Sequence, residues 1–362
     1  MTRSKALFLA SAAALTLSAC GETTPGQQAA NPPQPAPALP AAPPPVTPSS
    51  SPIAQAVDNA QFAPGQAMAP VAQRAVLIRA QVLLDRAHFS PGVIDGADGD
   101  NFRNAVAAFE RAKSLPEDGV LDPQVWALLT KDTQPVLTDY VITQADVAGP
   151  FVDAIPKDYR EMAKLDELGF TTPLEALAEK FHMDEALLSS LNPGADFGKA
   201  GARIVVTAPG PETLGAEVTR VEVDKARNQV RAYGADGALL ASYPATVGSS
   251  DMPTPNGEWE VLRVAHDPTW NYDPKKLNFG DKSAGKLDIK AGPNNPVGST
   301  WIDISKETYG IHGAPEPRLV GKTSSHGCVR LTNWDARQLG SAVKTGAKVV
   351  FMGSEDPAKT RA

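Results

Sequence analysis

The spacing of apolar residues changes at Ala216, and that change splits the chain into two kinds of structure. Val218, Val221 and Val223 open a stretch with strand periodicity. Residues 230–233 and 239–243 then flank Gly234-Ala235-Asp236-Gly237, the signature of a hairpin. Thr246-Val247-Gly248 ends that strand, and Pro253-Thr254-Pro255-Asn256-Gly257 makes a tight turn before Trp259-Glu260-Val261-Leu262. Residues 333–343, with Trp334, Leu339 and Val343, read as a helix, and Val349-Val350-Phe351 as a last strand. A mostly β domain is therefore expected over 213–353, with a polar tail over 354–362.

Ahead of Ala216 the pattern is helical. Val76, Leu77, Ala80, Leu83 and Leu84 recur at helical spacing, as do Ala105, Val106, Ala108 and Phe109. Asp95-Gly96 and Asp118-Gly119 mark turns, and a short helix carries Trp126, Leu128 and Leu129. A small helical unit over 66–135 follows. Over 136–212, two short helices are expected around Pro173 and Leu187, then a strand at Gly201-Ala202-Arg203-Ile204-Val205-Val206. A first strand at Tyr140-Val141-Ile142-Thr143 would precede them by some thirty residues. His182 in this part reads as a surface or core residue.

Twelve of the 33 prolines fall in 20–65, where Pro-Pro-Pro and Ser-Ser-Ser-Pro runs cannot bury a core. That stretch is expected to be a linker. Residues 1–19 have the pattern of an export signal: Arg3 and Lys5, then an apolar run over 6–17 too short to span a bilayer. No other stretch is apolar enough to span one. The formal charge is −7, and removing the two cations Arg3 and Lys5 leaves −9. Such an acidic chain does not suit nucleic acid, which calls for Lys/Arg patches.

Chemistry concentrates near the end, in Tyr309-Gly310-Ile311-His312-Gly313-Ala314-Pro315 and Ser324-Ser325-His326-Gly327-Cys328-Val329-Arg330-Leu331. These stretches hold two of the five histidines and the only cysteine besides Cys20. A thiol becomes a strong nucleophile as thiolate, and a nearby imidazole is the usual activator. His312 and Cys328 are too far apart for one helix face, so the chain must fold back through Pro315, Pro317 and Gly321. Gly327 lets the backbone turn sharply, leaving the Gly327 and Cys328 amides as candidates for an oxyanion hole. Two other readings of Cys328 stand beside this one. It could be a buried structural thiol, or His312, His326 and Cys328 could bind zinc, although they lack the usual ligand spacing. Arg330 is either a surface charge or a fork for a carboxylate. Trp270, Tyr272 and Trp301 could line a groove or fill a core, and His266 has no partner visible in sequence.

The His-Gly and Ser-His-Gly-Cys-Val-Arg-Leu elements resemble the signature of the L,D-transpeptidases, the YkuD-type catalytic domain acting on peptidoglycan. Tyr-Pro-x-Thr-Val-Gly at 243–248, Thr-Pro-x-Gly at 254–257 and the run 291–298 resemble its other elements. The resemblance implies a YkuD-like β-sandwich with Cys328 as nucleophile, His312 as base, and the Gly313 carbonyl orienting the imidazole. His326 joins the catalytic set, Gly327 and Cys328 the oxyanion hole, and Ser325 and Arg330 the substrate contacts. It implies no metal and no organic cofactor. It also implies attack on a tetrapeptide stem, 3-3 cross-links, and carbapenems as covalent inhibitors. An L,D-carboxypeptidase or an enzyme that attaches lipoproteins is the alternative within enzymes. A non-catalytic, lipid-tethered peptidoglycan-binding anchor is the alternative outside them.

Residues 66–135 resemble the peptidoglycan-binding-1 domain, and the helix, helix with Leu191-Asn192-Pro193, then strand of 136–212 resembles LysM, a small α+β glycan-binding module. A structural spacer is the other reading of 136–212. Leu17-Ser18-Ala19-Cys20 resembles a bacterial lipobox, which implies lipidation of Cys20, membrane attachment and a place in the periplasm of a Gram-negative-type envelope, the outer membrane favoured. A plain export signal is the alternative.

Overall fold

The structure, a computed structural model, describes residues 47–355 except Gln66, Ser250 and Asn278. The expected export signal, Cys20 and the proline stretch to residue 46 lie outside the described residues, as does the tail from residue 356.

Four helices come first: α1 (Pro52–Asp58), α2 (Pro70–Arg86), α3 (Asp100–Ala112) and α4 (Pro123–Leu129). Proline opens α1, α2 and α4, where its missing N–H costs nothing and its fixed φ suits the first turn. The Asp122 side chain caps α4 by accepting from the Val125 amide. Val76, Leu83 and Leu84 of α2 and Val106 and Phe109 of α3 are buried, as their spacing predicts. The expected linker ends too late, however. Residues 52–58 form a helix whose Ala54 and Val57, three apart on one face, are buried in the helical core. Asp58 then accepts from the Val136 and Leu137 amides.

Next come β1 (Leu137–Val141), α5 (Gln144–Ala148), α6 (Tyr159–Met162), α7 (Pro173–Lys180), α8 (Glu185–Leu191) and β2 (Arg203–Thr207). β1 and β2 pair antiparallel from Leu137↔Thr207 to Val141↔Arg203. Asn192, of the Leu-Asn-Pro stretch, donates to the Leu188 and Val205 carbonyls and accepts from the Val205 amide. It thereby ties the end of α8 to β2. This unit does not keep its own core: Leu177, Leu187 and Val206 sit in one apolar cluster with Val76 and Phe109.

The rest is β3 (Val218–Asp224), β4 (Gln229–Tyr233), β5 (Leu239–Pro244), β6 (Gly257–His266), β7 (Trp270–Tyr272), β8 (Leu287–Ile289), β9 (Thr300–Ile304), β10 (Gly310–His312), β11 (Val329–Arg330), α9 (Asn333–Ala342) and β12 (Val343–Met352). β7 and β8 form a separate hairpin. The other eight strands make one sheet in the order β11-β10-β9-β6-β12-β3-β4-β5. The expected β-sandwich is thus one curled sheet. Register shifts at 343/348, 261/263 and 232/233 bend it. Its ends approach: Thr246, just past β5, exchanges both backbone hydrogen bonds with Arg330 of β11 at 2.9 Å. The curl encloses Val230, Ile302, Ile311 and Val349, all fully buried.

The helical part meets this sheet at β5. Ser90 N–H donates to Ser242 O at 2.8 Å, and Ser242 N–H to His88 O at 2.9 Å. Nearby, His182 stacks flat on Trp334 of α9 (4.8 Å, 9°) while its Nδ1 meets Asp85 at 3.1 Å. His182, which reads in sequence as a surface or core residue, joins three parts of the chain.

Candidate active site

The site forms where β10 and β11 lie side by side. Their parallel register pairs Ile311 with Val329 and His312 with Arg330. Alternation along a strand puts Ile311 and Val329 into the core, where both are buried. His312, Arg330 and Cys328 therefore share the opposite face, and Cys328 comes level with Gly310. All three line a cavity of about 230 Å³.

Gly310 has to be glycine for steric reasons. A Cβ there would lie 2.6 Å from the Trp301 ring, which stacks on His312 (5.4 Å, 22°). Trp301 is the β9 residue directly opposite His312. Gly327 answers a different need: its φ is +117°, and a Cβ would lie 2.8 Å from the Tyr309 ring.

The imidazole is oriented. His312 Nδ1 meets Gly313 O at 2.7 Å, and a carbonyl can only accept, so Nδ1 carries the proton and Nε2 is left as the acceptor. Burial, then the charge of Arg330, pushes the His312 pKa down to about 3. The ring is neutral at rest. Cys328 is half-buried, and its thiol donates to Thr308 O at 3.7 Å. Burial raises the thiol pKa, against the opposing pull of the Gly310 amide and Arg330. The resting pair is thus a neutral thiol and a neutral base.

Arg330 is half-buried, which pulls its pKa down, and no carboxylate among the described residues lies within 4 Å of it. It fits neither a plain surface charge nor a structural ion pair. His326 stacks on Phe279 (4.4 Å, 23°) at the cavity rim.

Two expectations change. The Ser325 hydroxyl donates to Cys328 O at 2.5 Å and accepts from Gly327 N–H at 3.0 Å. Ser325, buried, is committed to shaping the turn rather than to meeting a substrate. The Gly327 amide, held by that hydroxyl, is not free for an oxyanion. That leaves the Cys328 amide of the expected pair.

Trp270 and Trp301 line the cavity, whereas Tyr272 is buried in a cluster with Met162, Leu168 and Ile289. His266 is elsewhere, with Nδ1 3.3 Å from the Thr300 hydroxyl. Among the described residues, no three or more His, Cys, Asp or Glu side chains converge as metal ligands would. Thr308 and Tyr309 also line the cavity and were not singled out from sequence, although they adjoin the His-Gly element. Tyr159 lines it too, and nothing in its local sequence points there.

Comparison with known proteins adds to this geometry. Residues 218–351 match the model of the L,D-transpeptidase catalytic domain, YkuD, and residues 74–129 that of a peptidoglycan binding domain. A Bacillus licheniformis protein named for the L,D-transpeptidase YkuD is 30% identical over 176 residues, covering 49% of this chain and 91% of that protein. A protein of Escherichia coli K12 classed as the L,D-transpeptidase YbiS is 30% identical over 196 residues, 53% of this chain and 63% of that one. Among solved structures, an L,D-transpeptidase from Xylanimonas cellulosilytica has 16% identity and a TM-score of 0.33, covering 76% of this chain and 92% of that chain. The Enterococcus faecium catalytic domain acylated by ertapenem has 23% identity and a TM-score of 0.30, covering 38% of this chain and 98% of that chain.

Proposed function

The chain belongs to the L,D-transpeptidase family, and we propose that it cuts and rejoins peptidoglycan stem peptides through an acyl-Cys328 intermediate. The observation that carries this is the placement of Cys328 and His312 on neighbouring strands, facing one cavity, with His312 Nδ1 fixed by Gly313 O. Nε2 is then the only ring atom able to take the thiol proton.

The sulfur attacks the carbonyl of the bond that joins the L centre to D-alanine in a tetrapeptide stem. The thiol proton moves to His312 Nε2, and the Cys328 amide meets the developing oxyanion. The C–N bond breaks, His312 returns the proton to the departing amine, and D-alanine leaves. An amine of a second stem then attacks the thioester, gives its proton to His312, and forms a 3-3 cross-link while the thiol is restored. His326, beside Phe279, shapes the rim of the cleft. Arg330, with no carboxylate partner among the described residues, holds a substrate carboxylate.

The remaining parts hold the enzyme to its substrate. Residues 136–212 act as a LysM-like glycan module, a reading supported by the order β1-α7-α8-β2 with β1 and β2 paired antiparallel. Lipidated Cys20 tethers the chain to the envelope of a Gram-negative-type bacterium, the outer membrane favoured, facing the periplasm. Labelling with a fatty acid and membrane fractionation, with Cys20→Ser as control, tests that tether: a soluble, unlabelled wild-type protein refutes it.

The functional test is incubation with defined muropeptides and mass analysis of products. A dimer lacking one D-alanine is expected, and Cys328→Ala should form none. A trimmed tripeptide without dimer would identify water as acceptor, and turnover by Cys328→Ala would refute the site.

A further inference from the structure

Tyr159 stands apart from the rest of the site because it comes from another part of the chain. It lies in the segment between β1 and α7, well ahead of residue 218 where the catalytic-domain match begins. That segment leaves its own unit and docks on the curled-sheet domain. Arg160 donates to Asp281 and Ser283 at 2.6 and 2.7 Å. Leu168 exchanges backbone hydrogen bonds with Ala291 and Asn294, both at 2.9 Å. The Tyr159 ring is wedged against the β7–β8 hairpin, edge-on to Trp270 (5.2 Å) and tilted on Tyr272 (4.9 Å).

So held, Tyr159 lines the cavity that contains Cys328. It also lines a larger groove of about 840 Å³ on the other side, and Arg330 and Pro296 line both as well. Tyr159 and Arg330 therefore stand at the neck between the two spaces, near enough to feel each other's charge. Among the described residues the Tyr159 hydroxyl has no hydrogen-bond partner, and it is not sealed from solvent. No carboxylate among the described residues lies within 4 Å of the Arg330 guanidinium; Glu316, whose charge reaches it, is paired with Arg318 at 3.8 Å. A guanidinium can only donate, and a phenol beside it is best used as a donor. Two unspent donors side by side, at the neck of a cleft that contains a nucleophile, call for an anionic acceptor.

We infer that Tyr159 is a substrate-contacting residue that, together with Arg330, binds a free carboxylate of the stem peptide, so that the segment between β1 and α7 completes the active site. This rests on the reading of the chain as a stem-peptide transpeptidase. The carboxylate in question is that of the diaminopimelate side chain, which stays on the acyl-enzyme when D-alanine and its own carboxylate leave.

The test uses the full chain, Tyr159→Phe, and two tetrapeptide stems that differ only in whether that carboxyl is free or amidated. Phenylalanine keeps the ring and its packing and removes only the hydroxyl. A hydrogen bond to a charged group is worth roughly tenfold or more in affinity. KM for the acid stem should therefore rise about tenfold, with kcat within about twofold and KM for the amide stem nearly unchanged. The rate at which iodoacetamide alkylates Cys328, which needs no stem, should stay at the wild-type value. An unchanged KM on the acid stem overturns the inference, and so does an equal loss on acid and amide. A wild-type protein that turns over neither stem overturns the functional reading, and this inference with it. A working wild type beside an unaffected Tyr159→Phe overturns this inference alone.

Discussion

Cys328 should react with iodoacetamide as an ordinary thiol does, or more slowly, and only as the solution becomes alkaline. Burial raises its pKa above the usual 9.0, and His312, with a pKa pushed down to about 3, carries no positive charge to offset that. The thiolate alone alkylates. At pH 7 a thiol with the ordinary pKa is about one part in a hundred thiolate, and Cys328 is expected to be below that. Its alkylation rate should then climb roughly tenfold per pH unit from about pH 6 to 9 with no plateau. His312→Ala should leave that profile within about twofold while costing turnover several orders of magnitude, because the imidazole acts only when the proton moves. The assay is timed quenching at each pH, with the adduct mapped to Cys328 by peptide mass. A flat, fast rate between about pH 5 and 8 that disappears in His312→Ala would reveal a thiolate–imidazolium pair at rest, and the protonation states derived above would be wrong.

Three further outcomes are expected. Gly310→Ala drives a Cβ into the Trp301 ring, so Trp301 must leave its stack on His312; thermal unfolding should report a loss of about 1–3 kcal/mol and turnover should fall by roughly tenfold or more. Asp335 and Glu179, at the junction around Trp334, have pKa values raised by burial to about 7, so the folded state keeps protons that the unfolded chain gives up near pH 4. Their contribution is complete below about pH 4 and is lost as pH rises through 7. Asp335→Asn should flatten the decline in melting temperature between pH 5 and 8, by on the order of 1–3 kcal/mol, and an identical decline would argue against it. Finally, a carbapenem should add once, on Cys328, with no adduct in Cys328→Ala by intact mass; modification elsewhere would count against the acyl-enzyme.

The proposed nucleophile and base could be picked out in the sequence because their chemistry is local. A histidine, a cysteine and the glycines beside them announce a thiol site, and strand alternation then brings His312, Cys328 and Arg330 to one face. The turn's inner wiring was not legible. Ser325 and the Gly327 amide looked available in sequence, and only the folded turn shows each committed to the other. Tyr159 was missed for a different reason: its place depends on a docking between segments more than a hundred residues apart, and local periodicity does not encode that. The same holds for His182, whose partners Asp85 and Trp334 come from either side of it in the chain. The early helix α1 was hidden by the prolines around it, though Ala54 and Val57 carry the helical spacing. One curled sheet in place of a sandwich follows from bulges and from the Thr246–Arg330 pairing, neither of which has a sequence signature.

The contact between Ser90 and Ser242 has a consequence for how the protein can be dissected. β5 is the last strand of the sheet, and residues 88–90 supply its outer neighbour through two backbone hydrogen bonds. Cutting the chain near residue 213 would strip that cover and leave bare amides and carbonyls along a strand whose Ala241 and Tyr243 are otherwise buried. Such an edge recruits other strands. A fragment limited to the curled sheet should therefore self-associate at concentrations where the longer chain stays dispersed, and a fragment begun near residue 47 should behave better than a shorter one.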